Sequence, residues 1–319
     1  MKLLDSQFMQ AERVGVVGHV KPDGDCIGAC LALYHYLHNR YPKLKVMVFL
    51  EEVPEVFQFL EGANQIFTEP PEDSGFDIFI SVDCSDQSRH GKFFDLFEHA
   101  KLRVNIDHHI SNLQFGDINE VQQDVSASCE VLYELFDPEG IDRKTAMALY
   151  LGIVHDTGMF RYSNTSRRTL EIAGDLISYG FPFYDLIDKT FYQKTWVQNR
   201  LMGCVVANSS CYLDGQLIIS YADGKLFEEL QAGLSDTEGI IEHLRTTKGV
   251  RVAVAFFETK DHQFKVSLRA TDDTDVSAIA LKYGGGGHKK AAGFTSGLKP
   301  QALIETLTNE FSGLWNASL

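Results

Sequence analysis

The stretch Gly18-His-Val-Lys-Pro-Asp-Gly-Asp-Cys-Ile-Gly28 sets an imidazole, His19, close before two carboxylates, Asp23 and Asp25. Two aspartates two apart in an extended turn can point the same way, and Gly24 lets the backbone bend between them. An N/O ligand set for a cation results. Taken alone, residues 22–25 read equally well as a polar turn that caps the following helix. Ser81-Val-Asp83 closes an apolar run with an acid, which by itself is also what a helix cap looks like. Asp107-His108-His109 is harder to account for by packing: two adjacent imidazoles follow an apolar strand, with an aspartate placed to orient one of them. Gly152-Ile-Val-His-Asp-Thr-Gly158 ends an apolar helical pattern on Asp156, where a carboxylate meets the negative end of the helix dipole and needs a cation to compensate it. The side chain of the adjacent His155 must point elsewhere.

These stretches supply His19, Asp23, Asp25, Asp83, His108 and Asp156. Two imidazoles and four carboxylates can hold two hard divalent ions with one aspartate bridging, and the donor types suit Mn²⁺ or Mg²⁺ better than a thiolate-preferring metal. Two such ions about 3.5–4 Å apart clamp a phosphoryl group and activate water at neutral pH. A fifth stretch differs in sign. Lys265-Val-Ser-Leu-Arg-Ala270 and Tyr283-Gly-Gly-Gly-Gly-His288-Lys-Lys-Ala-Ala-Gly293 bring Arg269, His288, Lys289 and Lys290 beside glycines whose exposed N–H groups suit an anion, as in backbone nests. No Gly-Lys-[Ser/Thr] follows, so it is not a Walker loop.

The elements that must position these residues alternate in type. Residues 13–20, 45–49, 77–83 and 102–107 are short runs rich in Val, Ile and Phe, and between them lie helical patterns such as 27–40. This order indicates an α/β fold with a mainly parallel sheet flanked by helices, and three of the four strands end in metal-capable residues. In open α/β sheets ligands bind at the carboxyl ends of strands. Residues 126–199 read as largely helical. A second, smaller α/β domain with a mixed sheet follows, with strands at 205–213, 216–221, 250–258 and 264–269 and helices at 236–245, 276–283 and 301–311. The expected division is a catalytic domain over 1–188, a helical connector over 189–204 and a substrate-binding domain over 205–319, with the active-site cleft between the domains.

Length and composition set the bounds. At 319 residues two domains are the natural expectation, and 44% hydrophobic with 23% charged residues is ordinary globular composition. Six scattered cysteines without C-x-x-C spacing read as reduced and mostly buried. The N-terminus reaches charge too soon to form the core of a signal peptide, and no apolar run spans a bilayer, so the expectation is a cytoplasmic protein with no membrane partner. Twenty-nine Lys+Arg against 44 Asp+Glu give a net charge of −15, which repels long polyanions. A nucleotide substrate, if that is what the site takes, should therefore be short and held by local charges, not long duplex nucleic acid. A homodimer is left open.

The motifs resemble the DHH phosphoesterase superfamily, whose signature triplet stands at residues 107–109. The resemblance covers nearly the whole chain: the N-terminal half looks like the catalytic domain, and Ser267-Leu-Arg269 with Gly284-Gly-Gly-Gly-His288 look like its associated C-terminal domain. Chain length and Asp156-Thr-Gly-Met-Phe-Arg-Tyr-Ser-Asn-Thr165 are most similar to the bifunctional oligoribonuclease and pAp phosphatase group, the nanoRNases. That resemblance implies that His19, Asp23 and Asp83 hold one metal and Asp25, Asp83, His108 and Asp156 the other, Mn²⁺ being favoured over Mg²⁺. Asp83 becomes the bridge, Asp107 a support and His109 a contact to the substrate phosphate. Arg269 and His288 would grip a terminal phosphate, with Gly285, Gly286 and Gly287 lining its approach. Gly18 departs from a common Ser, and His155 from a common Thr; neither removes a ligand. The implied activity is hydrolysis of short oligoribonucleotides, linear dinucleotides such as pApA, or 3′-phosphoadenosine 5′-phosphate to mononucleotides. A cyclic-dinucleotide phosphodiesterase is the alternative within the superfamily. An inactive nucleotide-binding regulator is the alternative outside catalysis, and would be expected to have lost ligands that are all present here.

Overall fold

The computed structural model describes residues 1, 4–73 and 75–316. The chain divides into two compact units, Met1–Gln193 and Lys194–Leu319.

The first unit runs α1 (Asp5–Gln10), β1 (Arg13–Val17), α2 (Gly24–Arg40), β2 (Lys45–Phe49), β3 (Ile78–Val82), α3 (Phe94–Glu98), β4 (Leu102–Asp107), β5 (Ile118–Val121), α4 (Ser128–Leu135), α5 (Arg143–Asp156), α6 (Arg167–Ile177) and α7 (Phe183–Ile187). All five strands are parallel, in the order β2-β1-β3-β4-β5. Period-two alternation divides their side chains between two buried faces. Val14, Val16, Ile78, Ile80, Val104 and Ile106 join the larger core with α2, α4 and α5. Val17, Met47, Phe49 and Phe79 pack on the opposite face with Phe93, Leu96 and Phe97. The fifth strand was not anticipated. Its four residues are all half-buried at the sheet edge, so Ile118-Asn-Glu-Val121 carries too weak an apolar signal.

The chain leaves β1 for β2 on one side and returns to β3 on the other, so the sheet's switch point lies between the carboxyl ends of β1 and β3. Helix α2 is buried over most of its circumference, as a helix enclosed by core must be. It crosses α5 at backbone contact. A β-carbon on Gly28 would lie 2.5 Å from the Ala148 carbonyl oxygen, and one on Gly152 would strike the Asp25 carboxylate and Cys129 Sγ. Two glycines thus let the start of α2 and the end of α5 approach each other. No helix among the described residues is long and apolar enough to cross a membrane.

The second unit contains α8 (Trp196–Ala207), β6 (Ser210–Tyr212), β7 (Leu217–Ala222), α9 (Gly224–Leu230), α10 (Ile240–Arg245), β8 (Val252–Glu258), β9 (Phe264–Ala270), α11 (Val276–Lys282), β10 (Gly286–His288), β11 (Ala291–Ser296) and α12 (Pro300–Asn316). Its mixed sheet has the order β10-β11-β9-β8-β7-β6, with β7 and β8 parallel and the other pairs antiparallel. Two expectations need correction. Residues 205–207 are helical, and only Ser210–Tyr212 of the expected strand is extended. A capping box between Thr195 and Gln198 starts the helix, and Leu201 and Val205, four apart, are its buried residues. The glycine run is also less open than a nest: Gly286–His288 pairs with Ala291–Gly293 as a hairpin. A side chain at Gly285 would strike the Gly293 carbonyl, and one at Gly287 would lie 2.5 Å from Ala291 O, so close strand approach accounts for both glycines.

All six cysteines are free; Cys26, Cys30, Cys84 and Cys129 are buried, whereas Cys211 is exposed.

Candidate metal centre

The sheet delivers His19 just beyond β1, Asp83 just beyond β3 and Asp107-His108-His109 at the end of β4, while α2 and α5 contribute Asp23, Asp25 and Asp156 from their facing ends. His19 Nε2 lies 3.5 Å from Asp83 Oδ2 and 3.8 Å from Asp23 Oδ1. His108 Nε2 lies 3.1 Å from Asp156 Oδ2, 3.6 Å from Asp83 Oδ1 and 4.0 Å from Asp25 Oδ2. The two oxygens of Asp83 therefore face different histidines. Asp83 holds a left-handed backbone with φ of 59°, a conformation few non-glycine residues adopt and one that turns its carboxylate off the strand end.

These spacings suit ions. Ligands about 2.1 Å from a six-coordinate cation stand about 3.0 Å apart when adjacent and about 4.2 Å when opposite. His19 Nδ1 donates to the Val20 carbonyl at 2.9 Å, which leaves Nε2 as the lone-pair nitrogen of the neutral ring, facing Asp83 and Asp23. The electrostatics point the same way. Burial alone would lower the His19 imidazole, yet its hydrogen bonds to Asp23 and Asp83 push it up to about 11. Burial likewise opposes charge on His108, and Asp156, Asp25 and Asp83 together push it up to about 10. Asp25 is pushed well up, first by burial and then by the charges of Asp83 and Asp156. Carboxylates this buried and close demand more positive charge than two imidazoles supply, and divalent cations meet that demand.

Asp23 caps α2 by accepting from Asp25 N–H and Cys26 N–H, and its carboxylate also faces His19. Asp107, fully buried, accepts from His109 Nδ1 at 2.7 Å and from Asn112 Nδ2 at 2.6 Å. The hydrogen bond to Asp107 raises the His109 imidazole from its ordinary value, and this ring is 41% exposed. With Nδ1 held by Asp107, His109 can present its other ring nitrogen outward. His155 turns away from the cluster, packing its ring against Phe57 and Phe191.

Two supporting residues escaped the sequence reading. The first turn of α4 grips Asp25 with both leading amides, Ser128 N–H at 2.6 Å and Cys129 N–H at 3.1 Å. Ser128 Oγ also donates to Asp83 Oδ1 at 2.9 Å. A helix start binds a carboxylate well, and the serine opening residues 128–135 was the available signal. Asn112 is the other: it ties Asp107 to the Cys84 carbonyl and to Asn105.

The second unit brings its expected residues to one face of its sheet. Arg269 pairs with Ala291, which pairs with His288, so the three share a face across consecutive strands, with Arg269 and His288 about 10 Å apart along the sheet. Lys265 and Ser267 lie on the same face of β9 by alternation. Arg269 is half-buried and its Nε donates to Glu242 at 3.0 Å, a carboxylate shared with Arg245. Lys289 and Lys290 both reach toward Asp273, 3.7 Å away.

Comparison with known proteins places these features in a family. Residues 13–153 match the model of the DHH family, N-terminal domain, and residues 215–313 match the DHHA1 domain. The chain is 30% identical to the bifunctional oligoribonuclease and PAP phosphatase NrnA of Thermus thermophilus, over 88% of this chain and 83% of that protein. It is 30% identical to the Bacillus subtilis protein of the same name, over 86% of each. Among solved structures, an exopolyphosphatase-related protein from Bacteroides fragilis superposes with a TM-score of 0.82 at 24% identity, covering 98% of this chain and 96% of that one, which supports the fold.

Proposed function

Since the chain belongs to the DHH family, we propose that it is a two-metal phosphoesterase that hydrolyses short nucleotides, namely oligoribonucleotides of a few residues, linear dinucleotides or 3′-phosphoadenosine 5′-phosphate, to mononucleotides. The observation that carries the reading is the convergence of two imidazoles and four carboxylates from separate elements on one point, with Asp83 facing both histidines. In this reading His19, Asp23 and Asp83 hold one divalent ion and Asp25, Asp83, His108 and Asp156 the other, with Mn²⁺ preferred. The bound ions supply Lewis acidity toward phosphoryl oxygen and activation of water.

The chain's own residues do the rest. Asp107 orients His109 through Nδ1 and favours its charged form, so that its outer N–H can donate to a phosphoryl oxygen as charge builds there. Ser128 and the amides of α4 fix Asp25 and Asp83 before any substrate arrives. Arg269 and His288, beside Gly285, Gly286 and Gly287, take a distal phosphate and so set substrate length. A chain of net charge −15 can accept a nucleotide on these terms, because a few local cations suffice for a short substrate.

The test is a parallel assay with Mn²⁺ on 3′-phosphoadenosine 5′-phosphate, 5′-phosphorylated dinucleotides, longer oligomers, cyclic dinucleotides and pyrophosphate. Turnover should fall as oligomers lengthen and be absent on pyrophosphate. Activity confined to pyrophosphate would overturn the nucleotide assignment.

A further inference from the structure

We propose that Cys26 gives this centre a second, softer donor set, so that His19, Cys26 and Asp83 capture thiolate-preferring ions such as Zn²⁺ or Cd²⁺. The inference rests on reading the cluster as metal-holding, and it concerns which ions the chain binds. The ligating atoms of His19, Cys26 and Asp83 all lie within 4.8 Å of one another, and all three residues are buried. Around a tetrahedral zinc, with N or O at about 2.0 Å and S at about 2.3 Å, ligand atoms stand about 3.5 Å apart. The sulfur then has to close on its partners by no more than about 1.3 Å, from at most 4.8 Å. Among the described residues no other cysteine joins a metal-capable group.

The loop that carries the imidazole also places the sulfur. Cys26 lies in the first turn of α2, and its Sγ accepts the His19 N–H at 3.3 Å. Gly18 makes this possible, because a β-carbon there would strike Cys26 Sγ and stand 2.9 Å from Leu50 Cδ2. Glycine at 18 and sulfur at 26 are thus tied together, since any side chain at 18 would collide with the thiol. A thiol facing His19 and Asp83 sets this chain's ion preference apart from that of an all-N/O centre. Mn²⁺ and Mg²⁺ gain little from sulfur, whereas Zn²⁺ and Cd²⁺ gain much. On capture the Sγ–H bond breaks, its proton passes to water, and the sulfur electron pair forms the bond to the ion; nothing is oxidised.

Cd²⁺ is the probe, titrated alone into the metal-stripped full chain and read by its near-ultraviolet sulfur-to-cadmium absorption. Mn²⁺ binding is measured in parallel by calorimetry. The expected result is a band saturating with one equivalent of Cd²⁺ in the wild type and in Cys211→Ala, which removes the exposed thiol, and loss of the band in Cys26→Ala. Cys26→Ser, closer in volume, serves if thermal melting shows the alanine variant unfolded, and should lose the band equally. A band that persists without Cys26 overturns the proposal, as does a wild type that binds Mn²⁺ but shows no band. Failure to bind either ion would overturn the metal-centre reading along with it.

Discussion

The two units treat charge in opposite ways. In the first, Asp25, Asp83 and Asp107 are almost wholly removed from solvent and each is held by donors from other elements. In the second, Lys265, His288, Lys289 and Lys290 are exposed, and Arg269 is half-buried on a carboxylate that it shares. Buried charges are costly, so they persist only where geometry is fixed and something compensates them, which is what a rigid centre for a cation requires. Exposed cations are cheap and adaptable, which suits the reversible capture of a substrate phosphate. The first region should therefore control whether the reaction occurs, and the second which substrate undergoes it.

Asp83→Ala should produce the largest effect, a loss in kcat on the order of 10³-fold or more on every substrate, because both proposed ions lose a ligand. Near-normal turnover, measured on a dinucleotide and on 3′-phosphoadenosine 5′-phosphate, would remove the basis for the comparison. Ser128→Ala should weaken Mn²⁺ affinity by about 10–100-fold by calorimetry, the usual cost of removing a group that orients a ligand. The fold should survive, since the backbone amides of α4 still hold Asp25. Unchanged affinity would mean that Asp83 needs no such support. Arg269→Ala should raise KM for a dinucleotide by about tenfold, the value of one charge-assisted hydrogen bond, with kcat changed far less. A drop in kcat with KM unchanged would move Arg269 out of substrate capture.

The smallest effect at neutral pH concerns His90, buried beneath the first sheet with Ser81 Oγ 2.8 Å from its Nε2. Burial lowers its imidazole from 6.5 to about 4. Folding thus favours the neutral ring, and the associated stability is complete above about pH 6.5 and lost as pH falls toward 4, by up to about 3 kcal/mol. Denaturant unfolding of wild type and His90→Gln should show a stability difference that shrinks on acidification. A difference constant from pH 7 to 4 would show that His90 does not titrate in this way.

What could be read in the sequence was what is local. Asp107-His108-His109 stands out within three residues of chain, whereas Asp83 and the turn from His19 to Asp25 read as helix caps by themselves and gained meaning only in conjunction with it. Ser128 and Asn112 were not legible, because Ser128 meets Asp25 across 103 residues and Asp83 across 45, and nothing near it in the chain names those partners. The glycine run misled for a related reason. Gly285 and Gly287 answer to the strand opposite them, whose approach composition does not reveal. The helical connector was legible, but its last turn, residues 205–207, read as strand because β-branched Val205 and Val206 run on toward Ser210–Tyr212.

The central claim is that one aspartate serves two ions. Calorimetric titration of Mn²⁺ into the metal-stripped chain tests it most directly, comparing wild type with Asp83→Ala. The account predicts two ions per chain in the wild type and weakening of both in the variant. A single site, or a variant in which one of two sites keeps its full affinity, would contradict it.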